Sequence, residues 1–283
     1  MEKQRQRKSF EELVFSDDFM FGKVMEDPEL CRDVLECLLQ RPVGELRELQ
    51  TQKEYRYTAD GKPIRLDVYN KDSEGIIYDA EMENLNHKSV ESHELPKRSR
   101  FYQSSIDIDF LSRGNSFKLL PESKILFICT FDPFGKGLSQ YSFTERCEED
   151  KALSLGDGTS KIFYNCSYKG GDIPEGLGRL YEYIETGHTG SDLTKRIDEA
   201  VIKGRRNEIW RTQYMKEWVV LQDARDEGRE EGREEGREEG RLSTLFLLVD
   251  DKVISIEEAL KRSGLSEEDF KARLKEYLEG VKG

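Results

Sequence analysis

The run Ile125-Leu126-Phe127-Ile128-Cys129 restricts the fold of this chain more than any other feature. It is apolar without alternation and short, which is the pattern of a strand buried on both faces at the centre of a mixed sheet. The surrounding elements set the class. Ser16 can cap a helical stretch over 16–41, where Phe19, Val24, Met25, Leu30, Val34, Leu35, Leu38 and Leu39 recur at helical spacing. Within it Asp27-Pro28 starts a second helical segment, since proline suits a first helical position. Glu54–Thr58, Ile64–Asn70 and Ile76–Glu83 read as the strands of a meander, with turns at Ala59–Lys62 and Lys71–Gly75. A helix over 94–113 ends at Gly114, and shorter strands follow near 141–147 and 161–168. The order predicts an α/β (α+β) sandwich with one mixed central sheet flanked by helices, plus a helical C-terminal extension.

Past Asp172 the pattern turns helical, from about 174 to 222. The tract EGREEGREEGREEGR follows, with Gly228, Gly232, Gly236 and Gly240 recurring every four residues. Glu230–Arg233 and Glu234–Arg237 can pair at i,i+3 on a helix, each worth a few tenths of a kcal/mol. Each glycine costs roughly 1 kcal/mol against alanine, so the terms come close to cancelling. The tract reads as a solvated, semi-rigid helical linker in preference to a self-associating glycine-striped helix. The tail over 242–283 holds two capping signatures, Ser255-x-x-Glu258 and Ser266-x-x-Asp269, around Gly264. It lacks a basic second helix, so it reads as a small packing or oligomerising module before a DNA-reading helix-turn-helix. The expected organisation is a core over 1–170, a helical extension over 171–225, the repeat over 226–241 and the tail over 242–283.

Composition narrows the setting. Hydrophobic and charged residues are each 36%, enough for a globular core beneath a charged surface. No run of about 18 apolar residues exists to span a membrane. MEKQRQRKSFEE has no apolar segment behind its basic residues, unlike a secretory signal. Cys31, Cys37, Cys129, Cys147 and Cys166 are odd in number and free of CxxC spacing, as expected of reduced thiols in a cytoplasmic protein. The net charge is −13, but residues from Asp223 onward contribute 18 acids and 12 bases to it. A local basic patch can still bind DNA. Lys97, Arg98 and Arg100 form one candidate cluster; Lys203, Arg205, Arg206 and Arg211, beside Trp210 and Tyr214, form another. A solvated helix face accounts for either equally well.

The chemistry concentrates between Ile64 and Glu83. Strands alternate faces with period two, so Arg65, Asp67 and Tyr69 share a face, as do Ile77, Asp79, Glu81 and Glu83 on the next strand. The apolar sets Ile64, Leu66, Val68 and Ile76, Tyr78, Ala80, Met82 belong to one core, which leaves both polar sets on the opposite face. A loop centred on Ser73 sets Asp67 opposite Asp79; one centred on Glu74 sets it opposite Glu81. Adjacent like charges destabilise a sheet, so the cluster needs a counter-charge. Arg65, a helix cation or a divalent metal would serve, and oxygen-only donors suit Mg2+ or Mn2+.

The segment RLDVYNKDSEGIIYDAEME resembles the central motif of PD-(D/E)XK nucleases. FSDDFMFGKVM, RSRFYQSSID and ILFICTFDPF resemble segments of the PD-(D/E)XK family transposases, the Rpn family of recombination-promoting nucleases, in which EGREEGREEG tracts are frequent. The likeness spans roughly 10–245. It implies a metal-dependent DNA endonuclease in which Asp67 and Glu81 hold the metal, activating water and stabilising charge on the scissile phosphate. Glu83 stands where the motif has a lysine. A glutamate can accept a proton or bind a second metal, but it offers no cation to the phosphate; Lys97, Arg98 or Arg100 would have to. Gln103 would also face the site. A lapsed core kept for DNA binding or for assembly through its helices is the alternative, and a role in defence against foreign DNA would use the same chemistry. His87, His93 and His188 lack ligand spacing, Gly135-Lys136-Gly137 lacks that of a phosphate loop, and Asp107 and Asp109 need only local partners.

Overall fold

The computed structural model describes residues 8–55, 64–84, 94–112, 114 and 116–280. It divides into two compact units, 1–211 and 212–283. The first is a mixed α/β unit whose six-stranded open sheet has the order β1-β2-β3-β4-β6-β5. These strands are β1 (Leu46–Tyr55), β2 (Ile64–Asp72), β3 (Ile77–Glu83), β4 (Ser123–Cys129), β5 (Gln140–Phe143) and β6 (Thr159–Asn165). β1, β2 and β3 pair antiparallel, β3–β4 and β4–β6 are parallel, and β5 closes the far edge antiparallel to β6. The apolar run thus lies in β4, buried on both faces as its pattern requires.

Two helices precede the sheet, α1 (Asp18–Val24) and α2 (Pro28–Leu39). They divide where Asp27 accepts from the N–H groups of Glu29 and Leu30 and Pro28 opens the next turn. α2 covers one face of the sheet: Cys31 Sγ contacts Asn70 Oδ1, and Arg41 just beyond the helix reaches the Tyr78 hydroxyl. α3 (Glu94–Ser112) links β3 to the parallel β4 and covers the other face. There Leu95, Tyr102 and Ile106 join Tyr69, Ile77, Ile125, Phe127 and Phe163 in one cluster. The face that alternation marks as polar is therefore no solvent face. It is roofed by α3, which explains why β3 is buried along almost its whole length.

Three differences from the sequence expectation have physical causes. β1 begins at Leu46, well before Glu54; its LRELQTQK stretch has no two-residue alternation to betray an edge strand. The remainder of the Glu54–Thr58 segment and the turn at 59–62 lie outside the described residues. The helical stretch after 172 is three helices: α4 (Glu175–Thr186), α5 (Asp192–Gly204) and the start of α6 (Glu208–Asp250). Gly187, with φ +78°, ends the first, and a capping box at Ser191 and Thr194 opens the second. α4 and α5 belong to the sheet unit rather than to a separate extension.

The second unit contains most of α6, with α7 (Ile256–Ser263) and α8 (Glu267–Gly280). The repeat runs as continuous helix. Ser255 and Ser266 cap as expected, and Gly264 takes φ +73° between the two short helices. Leu242, Leu245, Phe246, Ala259, Phe270 and Leu274 form the core of this unit. Among the described residues no helix is long and apolar enough to cross a membrane. Phe270→Ala should remove a fully buried ring and destabilise this small core by about 3–5 kcal/mol. Amide exchange should then accelerate across 242–280 while β3 and β4 keep their protection; equal acceleration in both would contradict a separate core.

Candidate functional site

The site forms where the β1-β2-β3 ladders fail. β1 and β2 keep one register through Thr51↔Val68 and Lys53↔Leu66, yet Asp67 has no ladder partner between them. The residue that would oppose it, Gln52, sits at φ +52°, a left-handed conformation that costs a non-glycine residue about 1–2 kcal/mol. On the other side the β2–β3 ladder stops at Val68↔Ala80. Continued by one residue, that register sets Asp67 opposite Glu81, the arrangement given by a loop centred on Glu74. Side chains replace the lost ladder: Glu81 Oε1 accepts from the Asp67 N–H at 2.8 Å, and Asp67 Oδ2 accepts from the Met82 N–H at 3.1 Å. Two carboxylates are fixed against each other by backbone hydrogen bonds.

Others crowd the same face. Asp79 is 0% exposed and Glu81 1%. Neither Asp79 oxygen receives a hydrogen bond from a donor among the described residues. Its neighbour is the Glu81 carboxyl, and two such groups out of water favour a proton between them. Burial first, with the Asp67 charge adding, pushes Asp79 up to about 8. Glu81 and Asp67 are held well above the ordinary carboxylate range, by burial foremost and then by Asp79 and Glu81 respectively. Asp18, the first residue of α1, completes the group. Burial raises its pKa against the opposing charge of Arg65, and its own charge raises Asp67 and Glu83. FSDDF contains Asp18, but spacing alone assigns it no role because α1 reaches the strands only in three dimensions.

Arg98 is the counter-charge. From the first turns of α3 its guanidinium meets Glu83 Oε1 at 2.5 Å, Glu81 Oε2 at 3.6 Å and the Tyr102 hydroxyl at 2.9 Å. It also lies against the Tyr102 and Phe127 rings. Burial raises the Glu83 pKa while Arg98 opposes it; Glu83 and Tyr102 in turn outweigh the effect of burial on Arg98 and keep it charged.

The other sequence candidates lie elsewhere. Lys97 and Arg100 are exposed and make no ion pair among the described residues. Gln103 is buried and exchanges hydrogen bonds with Ser123 at 2.8 and 3.1 Å while donating to Asp107, which places it at the start of β4, away from Glu81. Asp109 lies within α3 and pairs with Lys53. In the second basic cluster Arg205 donates to the Leu13 carbonyl and Arg211 pairs with Glu11, so both tie down the N-terminal segment. Gly135 and Gly137 donate their N–H groups to Asp132 in a closed turn. His188 sits 3.2 Å from Glu182, and His87 and His93 lie outside the described residues.

As a metal site the group is lean. Among the described residues no three carboxylate, imidazole or thiolate side chains gather as an ion cage. Asp67 and Glu81 each spend one oxygen on a backbone N–H, and the second Glu81 oxygen faces Arg98 at 3.6 Å. Mg2+ usually takes one or two carboxylates and keeps several waters, so the pair fits a hydrated Mg2+ or Mn2+. No known protein family, curated protein or solved structure matches the chain.

The raised carboxyl pKa values carry a pH signature. A carboxyl whose folded pKa lies above its unfolded value favours folding while protonated, and that contribution is lost as pH rises from near 4 through the folded value. In EDTA the thermal midpoint should fall as pH rises from about 5 to about 8. Asp79→Asn, a neutral isostere, should flatten that fall and raise the midpoint at pH 8.5 by a few °C, about what one or two kcal/mol gives a unit of this size. Parallel curves for the two proteins would contradict the assignment.

Proposed function

We propose that this chain is a metal-dependent DNA endonuclease built on a PD-(D/E)XK core, hydrolysing phosphodiester bonds, of transposase-like or recombination-promoting origin. One observation carries the reading: Asp67 and Glu81 are held against each other at a break in the sheet, with Arg98 against Glu81. A buried group of like charges is costly to maintain, and function is the usual reason for keeping one. The order helix, three-stranded meander, helix, central strand supports it, as does the sequence resemblance.

Asp67 and Glu81 would hold Mg2+ or Mn2+ through their remaining oxygens; when bound, the ion activates water and stabilises charge on the phosphate. Glu83, at the lysine position of the motif, accepts the proton given up by the attacking water. Its carboxylate is held in place by Arg98. Arg98 supplies the cation that Glu83 cannot, and its remaining N–H groups turn toward a phosphate oxygen as it withdraws from Glu81. Asp18 adds negative charge beside Asp67 and favours a bound cation.

A second reading, a catalytically lapsed core that binds DNA or assembles, is favoured by the same hydrogen bonds: both carboxylates already serve as caps for backbone N–H groups. Plasmid nicking in Mg2+ or Mn2+ separates the two. Asp67→Asn and Glu81→Gln should each lower cleavage at least about 100-fold, since even partners of metal ligands cost 10- to 100-fold. Arg98→Ala should lose about 100-fold and Arg98→Lys less, because only the lysine keeps a cation. Equal cleavage by all these variants would sink the endonuclease reading. DNA binding without metal binding in calorimetry would establish the lapsed core.

A further inference from the structure

The Arg98 guanidinium is held along two edges, and only one of them is acidic. Tyr102, one turn further along α3, presents its hydroxyl oxygen to the Nε and Nη2 N–H groups at 3.3 and 2.9 Å. That edge is distinct from the end of the group, where Nη1 meets Glu83 at 2.5 Å and Nη2 faces Glu81 at 3.6 Å. Tyr102 is itself fixed. It is 8% exposed, and its ring stacks on Phe127 at 6.1 Å with an angle of 16° between the planes. Phe127 is fully buried, stacks in turn on Phe163, and is the parallel neighbour of Glu81 in β4. The oxygen that receives Arg98 is therefore anchored on the strand beside the carboxylate group.

The chemistry of that oxygen matters. Arginine carries its N–H donors in a rigid plane, so one acceptor spanning an edge sets the rotation of the whole group. With that edge on Tyr102, the N–H groups at the far end are turned toward Glu81 and Glu83. A carboxylate on the same edge would hold the plane equally well but would cancel charge that a phosphate is to meet. The tyrosine acceptor is neutral: burial, and after it the Glu81 charge, pushes its pKa up. The rings add a contact of their own, since the guanidinium carbon lies 5.4 Å from the Tyr102 centroid and 5.8 Å from that of Phe127. Tyr102→Phe keeps both rings and removes only the acceptor.

We propose that Tyr102 is a positioning residue for Arg98: its hydroxyl sets the rotation in which the guanidinium, its charge intact, serves Glu83 and the phosphate. The service to phosphate rests on the endonuclease reading; the hold on Arg98 does not. The test uses the full chain and two readouts. In EDTA, nitrogen NMR of the arginine side chains follows rotation about the Arg98 Nε–Cζ bond, with the signal identified by its loss in Arg98→Lys. Rotation should be slow in the wild type and about 10-fold faster in Tyr102→Phe, as loss of one hydrogen bond to a charged group implies. Plasmid nicking in Mg2+ should fall about 10-fold in Tyr102→Phe, and no further when that change is added to Arg98→Ala. Overturning results are fast rotation in the wild type, which decides even if Tyr102→Phe fails to fold, equal rotation in the two proteins, or unchanged cleavage by Tyr102→Phe. A further loss in the Arg98→Ala background would also overturn it, by giving the hydroxyl a role of its own. If nicking proves independent of Asp67 while slow rotation still needs Tyr102, the endonuclease reading falls and the hold on Arg98 stands. If nicking needs Asp67 and Arg98 while rotation ignores Tyr102, the positioning role alone falls.

Discussion

Negative charge without enough water or partners is the condition around which the sheet unit is organised. Asp79, Glu81 and Glu83 alternate on one face of β3, Asp67 meets Glu81 from the neighbouring strand, and Arg98 of α3 closes over Glu81 and Glu83. A sheet tolerates that only with compensation, and this chain uses several devices. The backbone ladder breaks at Asp67 so that N–H groups turn to carboxylates. Burial lifts the pKa values of Asp67 and Glu81 well above the ordinary carboxylate range. Arg98 neutralises two carboxylates at once. Asp79 has only the neighbouring Glu81 carboxyl against it, so the compensation is incomplete. A bound divalent ion would complete it, which is the physical content of the functional proposal.

Arg98 also bears on the one departure from the motif. In the proposed reading Glu83 stands where the motif it resembles has a lysine, and a bare glutamate there would add to the repulsion. The ion pair with Arg98 converts that position from a cation into a salt bridge whose positive end comes from a helix. The sheet geometry is unaffected, because Glu83 keeps its parallel neighbour Cys129 in β4. An arginine delivered from α3 can do what a lysine on the strand would do, provided it leaves Glu81 when substrate arrives.

Much of this was legible in the sequence where period and burial coincide. The unbroken apolar run marked β4 as central, whereas alternation set Leu66 on the face opposite to Tyr69 and the structure gathers both in the cluster beneath α3. Loop length left two registers open, because a turn at Ser73 and one at Glu74 are equally compatible with the pattern; the ladder selects the second. Asp18 was invisible as a partner, since its approach to Asp67 depends on how α1 meets the sheet. Choosing Arg98 from among Lys97, Arg98 and Arg100 required the rotation of α3, which a helix with so weak an apolar stripe does not reveal. The same roof explains why acids suited to a solvent face turned out to be buried. Gln103, which shares the helix, points to Ser123 instead.

The central claim is that Asp67 and Glu81 share one divalent ion. Crystals soaked in Mn2+ and measured at the manganese absorption edge test it directly. An anomalous peak within coordination distance of both carboxylates, with Arg98 still on Glu83, is the expected result. Peaks confined to the acidic surface, with the Asp67 and Glu81 oxygens still bound only to backbone N–H groups, would contradict it.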